Sequence, residues 1–583
     1  MDIYSTFNTW LDGTSAYPDL HAELTDISGD EPSIVDRFYT ELEFGTGGLR
    51  GVLGAGTNRM NVLTVGRCAR GLAMHLRRRA LRELLSGRQP SVAIAYDSRR
   101  NSELFAQTSA RILAEAGIAV KIHKQLMPTP ALSYTIRKLG CTAGIVVTAS
   151  HNPAVYNGFK VYGSDGCQLT PEDAAAIYKQ MARCDYFAAI GRSFGELAAA
   201  GLIKIIDDEV VDAFIAEAAA QVPPEEERRR ALKYVYTPLN GTGITCVPRI
   251  LGEAGFTDVI IVPEQREPDG NFPTCPYPNP ELPQALELGL ALCRKTDADL
   301  LLATDPDCDR VGVAVKIKSE SAAGTKQTAY RLLNGNELGI VLLYYILMRR
   351  QEAGTLPESP IIIKTIVTTD LVYRIAGGFG AEVIDVLTGF KFIGEQLGLL
   401  ERDGAASRYV FGFEESCGYL CGSYVRDKDG VSTSLLVCQA AEYFAARGLT
   451  FADVIDLAGS RFGYTETKLV NVRYEGASGA SKMRDIMTRL RAEPPKEIPG
   501  HKLEVVDDYI NGAVKYIDNG ARSITLPPSD ALKFVYSGGF SVVIRPSGTE
   551  PQLKLYYSAG GKTRCEALSA LEAFAHEFEE SMG

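Results

Sequence analysis

Gly144-Ile145-Val146-Val147-Thr148-Ala149-Ser150-His151-Asn152-Pro153 is the stretch on which the reading of the chain turns. A short apolar run, β-branched at its centre, stops abruptly in hydroxyls, an imidazole and an amide. Pro153 has no backbone N–H to give to a ladder, so strand pairing ends there. The pattern predicts a buried strand delivering Ser150 to a loop, where an enzyme places a nucleophile. Taken alone it also fits an ordinary strand-to-turn junction, because Ser, Asn and Pro all favour turns.

The same pattern recurs along the chain. Ser91–Tyr96 runs into Asp97-Ser98-Arg99-Arg100, and Asp299–Thr304 into Asp305-Pro306-Asp307-Cys308-Asp309-Arg310. Tyr409–Phe411 runs into Gly412-Phe413-Glu414-Glu415-Ser416, and Ser541–Ile544 into Arg545-Pro546-Ser547-Gly548-Thr549-Glu550. Helical patterns lie between several of them, at Leu104–Ala116, Leu282–Lys295 and Glu337–Arg349. Strands alternating with helices predict an α/β fold with largely parallel sheets covered by helices. Ligands gather at the carboxyl ends of such strands, so these remote loops predict several domains converging on one cleft.

A chain of 583 residues is too long for one core and should divide into about three to five domains. The expected boundaries are 1–205, 206–325, 326–450 and 451–583. Gln221–Arg228 is expected on a surface turn, and Lys316–Gln327 as a loop before the third unit. A net charge of -11 argues against a broad nucleic-acid footprint, so an anionic ligand must meet local Arg, Lys and backbone N–H groups. The start of the chain lacks a basic and apolar leader, and no apolar run is long enough to cross a bilayer. Twelve cysteines without a CxxC pair read as reduced thiols of a cytoplasmic protein.

The loops carry distinct chemistry. Asp305, Asp307 and Asp309 repel one another unless a cation sits among them, and hard oxygen donors without His or thiolate favour Mg²⁺ or Ca²⁺. The spacing begins like an EF-hand, but Arg310 and Lys316 stand where that loop needs Gly and Glu. Phe44–Gly51 offers glycine freedom and the Arg50 guanidinium, without fitting GxGxxG. Arg545, Ser547, Gly548 and Thr549 suit a phosphate monoester. Gly561-Lys562-Thr563 mimics the end of a P-loop, but Tyr556 occupies the first glycine position. Glu414, Glu415 and Ser416, with Thr388-Gly389-Phe390-Lys391, suit sugar hydroxyls. Together these loops point to a sugar phosphate. Gly191-Arg192-Ser193-Phe194-Gly195 fits the hydrolase GxSxG, but that motif needs a preceding strand, and Met181–Ile190 reads as helical.

With Thr148–Pro153, Asp305–Arg310, Gly412–Gly418 and Arg545–Pro551 in this order, the chain resembles the α-D-phosphohexomutase superfamily over nearly its whole length. The likeness is to the branch of bacterial-type phosphoglucomutases and phosphopentomutase relatives. The superfamily's metal loop often has glycine where this chain has Pro306 and Cys308, but the three aspartates and the arginine remain. The resemblance implies three similar mixed-sheet α/β domains and a smaller C-terminal α+β phosphate-binding domain around a central cleft. It implies a phosphorylated Ser150, with Mg²⁺ bound by Ser150's phosphate, Asp305, Asp307 and Asp309, and glucose 1,6-bisphosphate as activator and intermediate. Lys160 or His151 would serve as general acid/base. Arg50 and Arg310 would stabilise the reacting phosphate, and Arg545, Ser547, Gly548 and Thr549 would hold the other. Thr388, Gly389, Lys391, Glu414, Ser416 and Lys428 would grip the sugar. The implied reaction interconverts glucose 1-phosphate and glucose 6-phosphate. Pentose or mannose phosphates, a metal-dependent phosphatase and a non-catalytic sugar-phosphate sensor are the alternatives. The partner is a small-molecule sugar phosphate rather than nucleic acid or membrane, and the chain is expected to be a monomer or weak homo-oligomer.

Overall fold

The apolar runs form strands at Ser91–Tyr96, Ala143–Val147, Leu300–Thr304, Tyr409–Glu414 and Phe540–Pro546. The computed structural model describes residues 2–45, 47–83, 89–225, 230–320, 326–474, 476–516, 520–547 and 552–582. The chain forms two compact units. One comprises residues 1–333, 394–406 and 418–442, and the other 334–393, 407–417 and 443–583.

The first unit contains two sheets. One has the order Gly48–Val52, Tyr156–Gly163, Ala143–Val147, Ser91–Tyr96, Ala119–His123 and Ile203–Ile206. The second runs Lys326–Leu333, Val311–Glu320, Leu300–Thr304, Tyr234–Thr237 and Val259–Ile261. Both are mixed rather than uniformly parallel. Their central strands pair in parallel, whereas Tyr156–Gly163 and Val311–Glu320 return antiparallel from the loops they follow. A return of a few residues is too short for a helical crossover, so it must be antiparallel. Val147 lies opposite Tyr96, so the Ser150 and Asp97 loops leave adjacent strand ends side by side.

In the second unit Ile361–Thr365 lies between, and parallel to, Glu382–Val386 and Tyr409–Glu414. The C-terminal part is an antiparallel sheet that includes Tyr464–Arg473, Gln552–Gly561, Phe540–Pro546, Leu532–Tyr536 and His501–Asp508. Its core takes Met487 and Leu490 from one helix and Leu571, Phe574 and Phe578 from another, against Phe534, Val542 and Leu555. That is the smaller α+β portion.

Four local expectations change. Lys316–Gln327 is not a loop throughout: Val311–Glu320 and Lys326–Leu333 form a hairpin in which Glu320 faces Lys326. Ser, Ala and Lys are weak strand formers, and ladder pairing at the sheet edge outweighs them. Met181–Ile190 is not a helix, because the helix Pro171–Met181 ends there. Leu282–Lys295 begins with the 3₁₀ turn Pro283–Leu286 before the α-helix Glu287–Thr296. In Gln221–Arg228, Val222 and Pro223 are buried while Pro224 is exposed, so only part of the stretch lies on the surface, and 226–229 lie outside the described residues.

The second unit also buries an ion-pair cluster. Lys364 is wholly buried, with Nζ 3.2 Å from Asp370 Oδ1 and 3.1 Å from Asp385 Oδ1, and Lys533 donates to Asp370 Oδ2 at 3.0 Å. Removing the buried Lys364 leaves the half-buried Asp385 without this cation, while Asp370 keeps Lys533. Lys364→Met is expected to destabilise this unit by about 1–2 kcal/mol, because solvent reaches both carboxylates. Urea unfolding followed on the unit's own peptides by hydrogen exchange tests this, and an unchanged midpoint would refute it.

Candidate active site

Ser150 stands three residues past the strand Ala143–Val147, and its backbone is left-handed, with φ of +51°. A non-glycine residue tolerates that region only where its surroundings hold it. Here the Ser150 N–H donates to Thr148 Oγ1 at 2.8 Å, and Arg99 holds the carbonyls. Arg99 Nη2 donates to Ser150 O at 2.6 Å and to Asn152 O, and Nη1 donates to Pro153 O at 2.8 Å and Tyr156 O at 3.0 Å. Arg99 is buried beside Asp97, with Nε 3.4 Å from Asp97 Oδ2. Asp97 also accepts from the Arg99 N–H and from Ser102 Oγ. One guanidinium thus fixes the turn that aims Ser150. Arg99→Ala strands these carbonyls and leaves the Asp97 carboxylate buried without its cation. The expected cost is about 3–5 kcal/mol of stability together with a fall in turnover. Thermal unfolding and steady-state assay measure both, and wild-type values would exclude the clamp.

Ser150 Oγ donates to Asp305 Oδ2 at 2.7 Å and lies 3.3 Å from His151 Nδ1. Asp305 begins the loop after Leu300–Thr304, and its Oδ1 accepts from the Asp309 and Arg310 N–H groups at 3.0 Å each. The loop is braced from outside. Thr242 donates through N–H and hydroxyl to Pro306 O, and the Gly430 N–H to Cys308 O. Cys308 has a φ of +52°, a left-handed position that suits glycine.

The three aspartates are buried, and one carboxylate oxygen from each lies within 4.8 Å of the others. Asp307 Oδ2 accepts from Lys160 Nζ and Thr129 Oγ1, both at 3.0 Å. Thr129 opens the helix Thr129–Lys138, whose N-terminal dipole favours the carboxylate. Asp309 Oδ2 lies 3.1 Å from Lys428 Nζ. Asp307 Oδ1 and Asp309 Oδ1 have no hydrogen-bond partner among the described residues. Burial, then Asp307 and Asp309, push the Asp305 carboxyl well above the usual range. For Asp307 burial acts upward, but the Lys160 ammonium and hydrogen bonds carry the net shift downward. Burial and Asp307 raise Asp309, against Lys428 and Lys160. Buried, mutually repelling carboxylates with oxygens left unsatisfied match a hard divalent cation.

Burial, then the Arg310 and Arg50 guanidiniums, hold His151 well below its ordinary value, so its imidazole is neutral. Arg50 is exposed and donates to Asn152 Oδ1 at 3.2 Å. Arg310 Nη1 donates to Glu281 Oε1 at 2.9 Å. Gly48, in the glycine-rich stretch, has a packing reason: a Cβ there would lie 2.0 Å from Phe159 O. Thr46 lies outside the described residues. Lys428, expected among the sugar ligands, sits at the aspartates, with Asp427 Oδ1 3.1 Å from its Nζ and Tyr162 OH donating to Asp427 Oδ2 at 2.7 Å.

The remaining predicted residues lie in the second unit. Ser416 Oγ donates to the buried Glu414 at 2.9 Å, and the intervening Glu415 accepts from Thr365 and Thr368. Thr388 and Lys391 are half-buried, and Gly389 has a φ of +110°. Arg545 hydrogen-bonds Tyr556, which also feels the charges of Glu415 and Glu414, so these loops share one neighbourhood. The Ser547 N–H donates to Gln552 O at 2.8 Å, while Gly548 and Thr549 lie outside the described residues. Ser193 of the GxSxG stretch caps the helix Phe194–Ala199 together with Glu196, and no strand precedes it, which removes the hydrolase reading. Arg99, Asp97 and Thr129 escaped sequence reasoning. Tyr96-Asp97-Ser98-Arg99 was visible as a polar strand end, but nothing in it indicated which loop it would hold.

Comparison with known proteins covers the same ground. The models of the phosphoglucomutase/phosphomannomutase alpha/beta/alpha domains I, II and III match residues 41–187, 212–318 and 334–458, and that of the C-terminal domain matches 469–573. A phosphoglucomutase of Staphylococcus saprophyticus is 35% identical over 523 residues, covering 89% of this chain and 91% of that protein. One of Staphylococcus aureus is 36% identical over 530 residues, covering 89% and 90%. Among solved structures, a phosphoglucomutase/phosphomannomutase family protein from Burkholderia thailandensis has a TM-score of 0.62 at 20% identity, covering 92% of this chain and 96% of that one. The open form of pp63/parafusin, a phosphoglucomutase from Paramecium, has 0.65 at 17%, covering 93% and 95%. At these identities the two structures speak for the fold alone.

Proposed function

The chain belongs to the phosphoglucomutase/phosphomannomutase family, with its four-domain α/β architecture, and on that premise we propose that it interconverts glucose 1-phosphate and glucose 6-phosphate through a phosphorylated Ser150. The observation that carries the reading is the 2.7 Å hydrogen bond from Ser150 Oγ to Asp305 within the aspartate cluster. In the first half-reaction a free sugar hydroxyl attacks the phosphorus on Ser150. The new O–P bond forms as the P–Oγ bond breaks, giving glucose 1,6-bisphosphate. The other phosphoryl group then returns to Ser150. Such transfer rests on positioning and charge neutralisation.

Asp305, Asp307 and Asp309 would hold Mg²⁺ with a phosphoryl oxygen on Ser150, and the ion would neutralise charge on the transferring group. The neutral His151 faces Ser150 Oγ, so it is the group available to take the hydroxyl proton, while Lys160 is engaged with Asp307 as a cation. Arg50 and Arg310 stabilise the reacting phosphate. Arg545, Ser547, Gly548 and Thr549 hold the distal one, and Thr388, Gly389, Lys391, Glu414 and Ser416 bind the sugar. Lys428 balances the aspartates rather than the sugar. A cytoplasmic location accompanies this reading: all twelve cysteines are free, and no described helix is long and apolar enough to cross a membrane.

Steady-state assays on glucose, mannose and ribose 1-phosphates, with Mg²⁺ and a trace of glucose 1,6-bisphosphate, test the proposal. Glucose 1-phosphate is expected to give the highest kcat/KM. Preference for another sugar would overturn the substrate assignment, and accumulation of free phosphate in place of isomer would overturn the reaction.

A further inference from the structure

Residues 2–40 precede the part of the chain matched by the family's domain I. Their helices Ile3–Gly13, Pro18–Asp26 and Glu31–Phe38 pack through Phe7, Trp10 and Phe38 against Leu63, Tyr186 and Phe187. Between this segment and the helix Ser102–Glu115 lies a cavity of about 690 Å³, the size of a small-molecule site. One wall is a stripe of that helix and its cap, Asn101, Leu104, Phe105, Thr108 and Arg111, whose spacing places them on one face. Ala16–Leu20 forms another wall, and Leu53, Met60 and Ile190 add apolar surface.

Three features of the lining indicate an occupant. Thr108 lines the cavity with a hydroxyl that has no partner among the described residues. Leu104, on the same stripe, is 49% exposed. The Arg100 guanidinium also lacks a partner among the described residues, while Arg111 uses Nε on Arg192 O at 2.9 Å. Of the acidic lining residues, Glu23 is engaged by Arg37 and by the Ala55 N–H, which leaves Asp19. Two guanidiniums against one uncommitted carboxylate, around an apolar floor, complement an anion with an apolar body.

We propose that this cavity binds a small amphipathic anion, an aromatic or aliphatic body bearing one acidic group, and that its occupancy alters phosphoryl transfer. The connection is short. Arg100 O accepts from Asn157 Nδ2 at 2.9 Å, on the strand that carries Lys160. The adjacent Arg99 holds the carbonyls of Ser150, Asn152, Pro153 and Tyr156. A ligand on Arg100 therefore bears on both the Ser150 turn and the Lys160 strand. The effect on turnover rests on the function proposed above, whereas binding does not.

The probe is 8-anilinonaphthalene-1-sulfonate, an aryl sulfonate, titrated by fluorescence into the full-length protein with Mg²⁺. The expected result is saturable binding of about one probe per chain, weakened about tenfold or more in Leu104→Glu and in Arg100→Ala. Saturating probe is expected to change wild-type kcat about twofold or more and to leave Leu104→Glu, whose basal turnover is unchanged, unaffected. Absence of saturable binding, or equal affinity in Leu104→Glu, overturns the site. Binding lost in Leu104→Glu with wild-type kcat unmoved by the probe overturns the coupling. If no sugar phosphate is turned over at all, the function has failed, and the fluorescence titration still decides the site.

Discussion

Ser150→Ala is expected to lower mutase turnover by at least about 10⁴-fold while sugar-phosphate binding persists. The substitution removes one oxygen, the one proposed to form and break the bond to phosphorus. It leaves the Asp305 backbone contacts, Lys160–Asp307 and Lys428–Asp309 untouched. The Ser150 N–H and carbonyl, which anchor the turn to Thr148 and Arg99, are retained in alanine, so the loop is expected to keep its course. Coupled steady-state assay gives the turnover, calorimetry with glucose 6-phosphate gives the affinity, and intact mass reports whether a phosphoryl group is carried. Retention of wild-type turnover would assign the phosphoryl carrier elsewhere.

Asp307→Asn should raise the Mg²⁺ concentration for half-maximal activity by about 100-fold or more and depress kcat at saturating Mg²⁺. Asp307 contributes both a charge and an unsatisfied oxygen, Oδ1, to the cluster, and its other oxygen holds Lys160. Asparagine keeps the shape and an acceptor for Thr129 but gives up the charge on which cation binding depends. Bound at the proposed site, Mg²⁺ would stabilise the wild-type fold, since a ligand bound only by the folded state raises the melting temperature. Chelation should lower wild-type Tm and affect Asp307→Asn less. Equal responses of the two proteins to Mg²⁺ would remove Asp307 from the cation site.

Much of this was legible in the chain. Apolar runs ending in polar loops marked the strands at Ser91, Ala143, Leu300, Tyr409 and Phe540, because a buried strand needs continuous apolar side chains and a ligand loop does not. Alternating aspartates after a buried strand marked a candidate cation site, because close carboxylates are costly without one. Where the local signal was weak, reading failed. The strand residues at Lys316–Glu320 are mostly Lys and Ser, and their ladder partners lie beyond the turn. The segment after Met181 looks helical by composition, but the helix stops where the chain turns to place Tyr186 and Phe187 against Trp10.

Residue types and their order determined the strand-and-loop plan, the candidate nucleophile, the carboxylate triplet and the family. The tertiary structure alone decided that Arg99 clamps the Ser150 turn, that Lys160 faces Asp307, and that Lys428 neutralises Asp309. The physical reason is range. Apolar periodicity and turn chemistry act between neighbours in sequence and can be read there. Pairing of buried charges depends on which loops the sheets bring together across 147 positions for Lys160 and Asp307, and no local pattern encodes that distance.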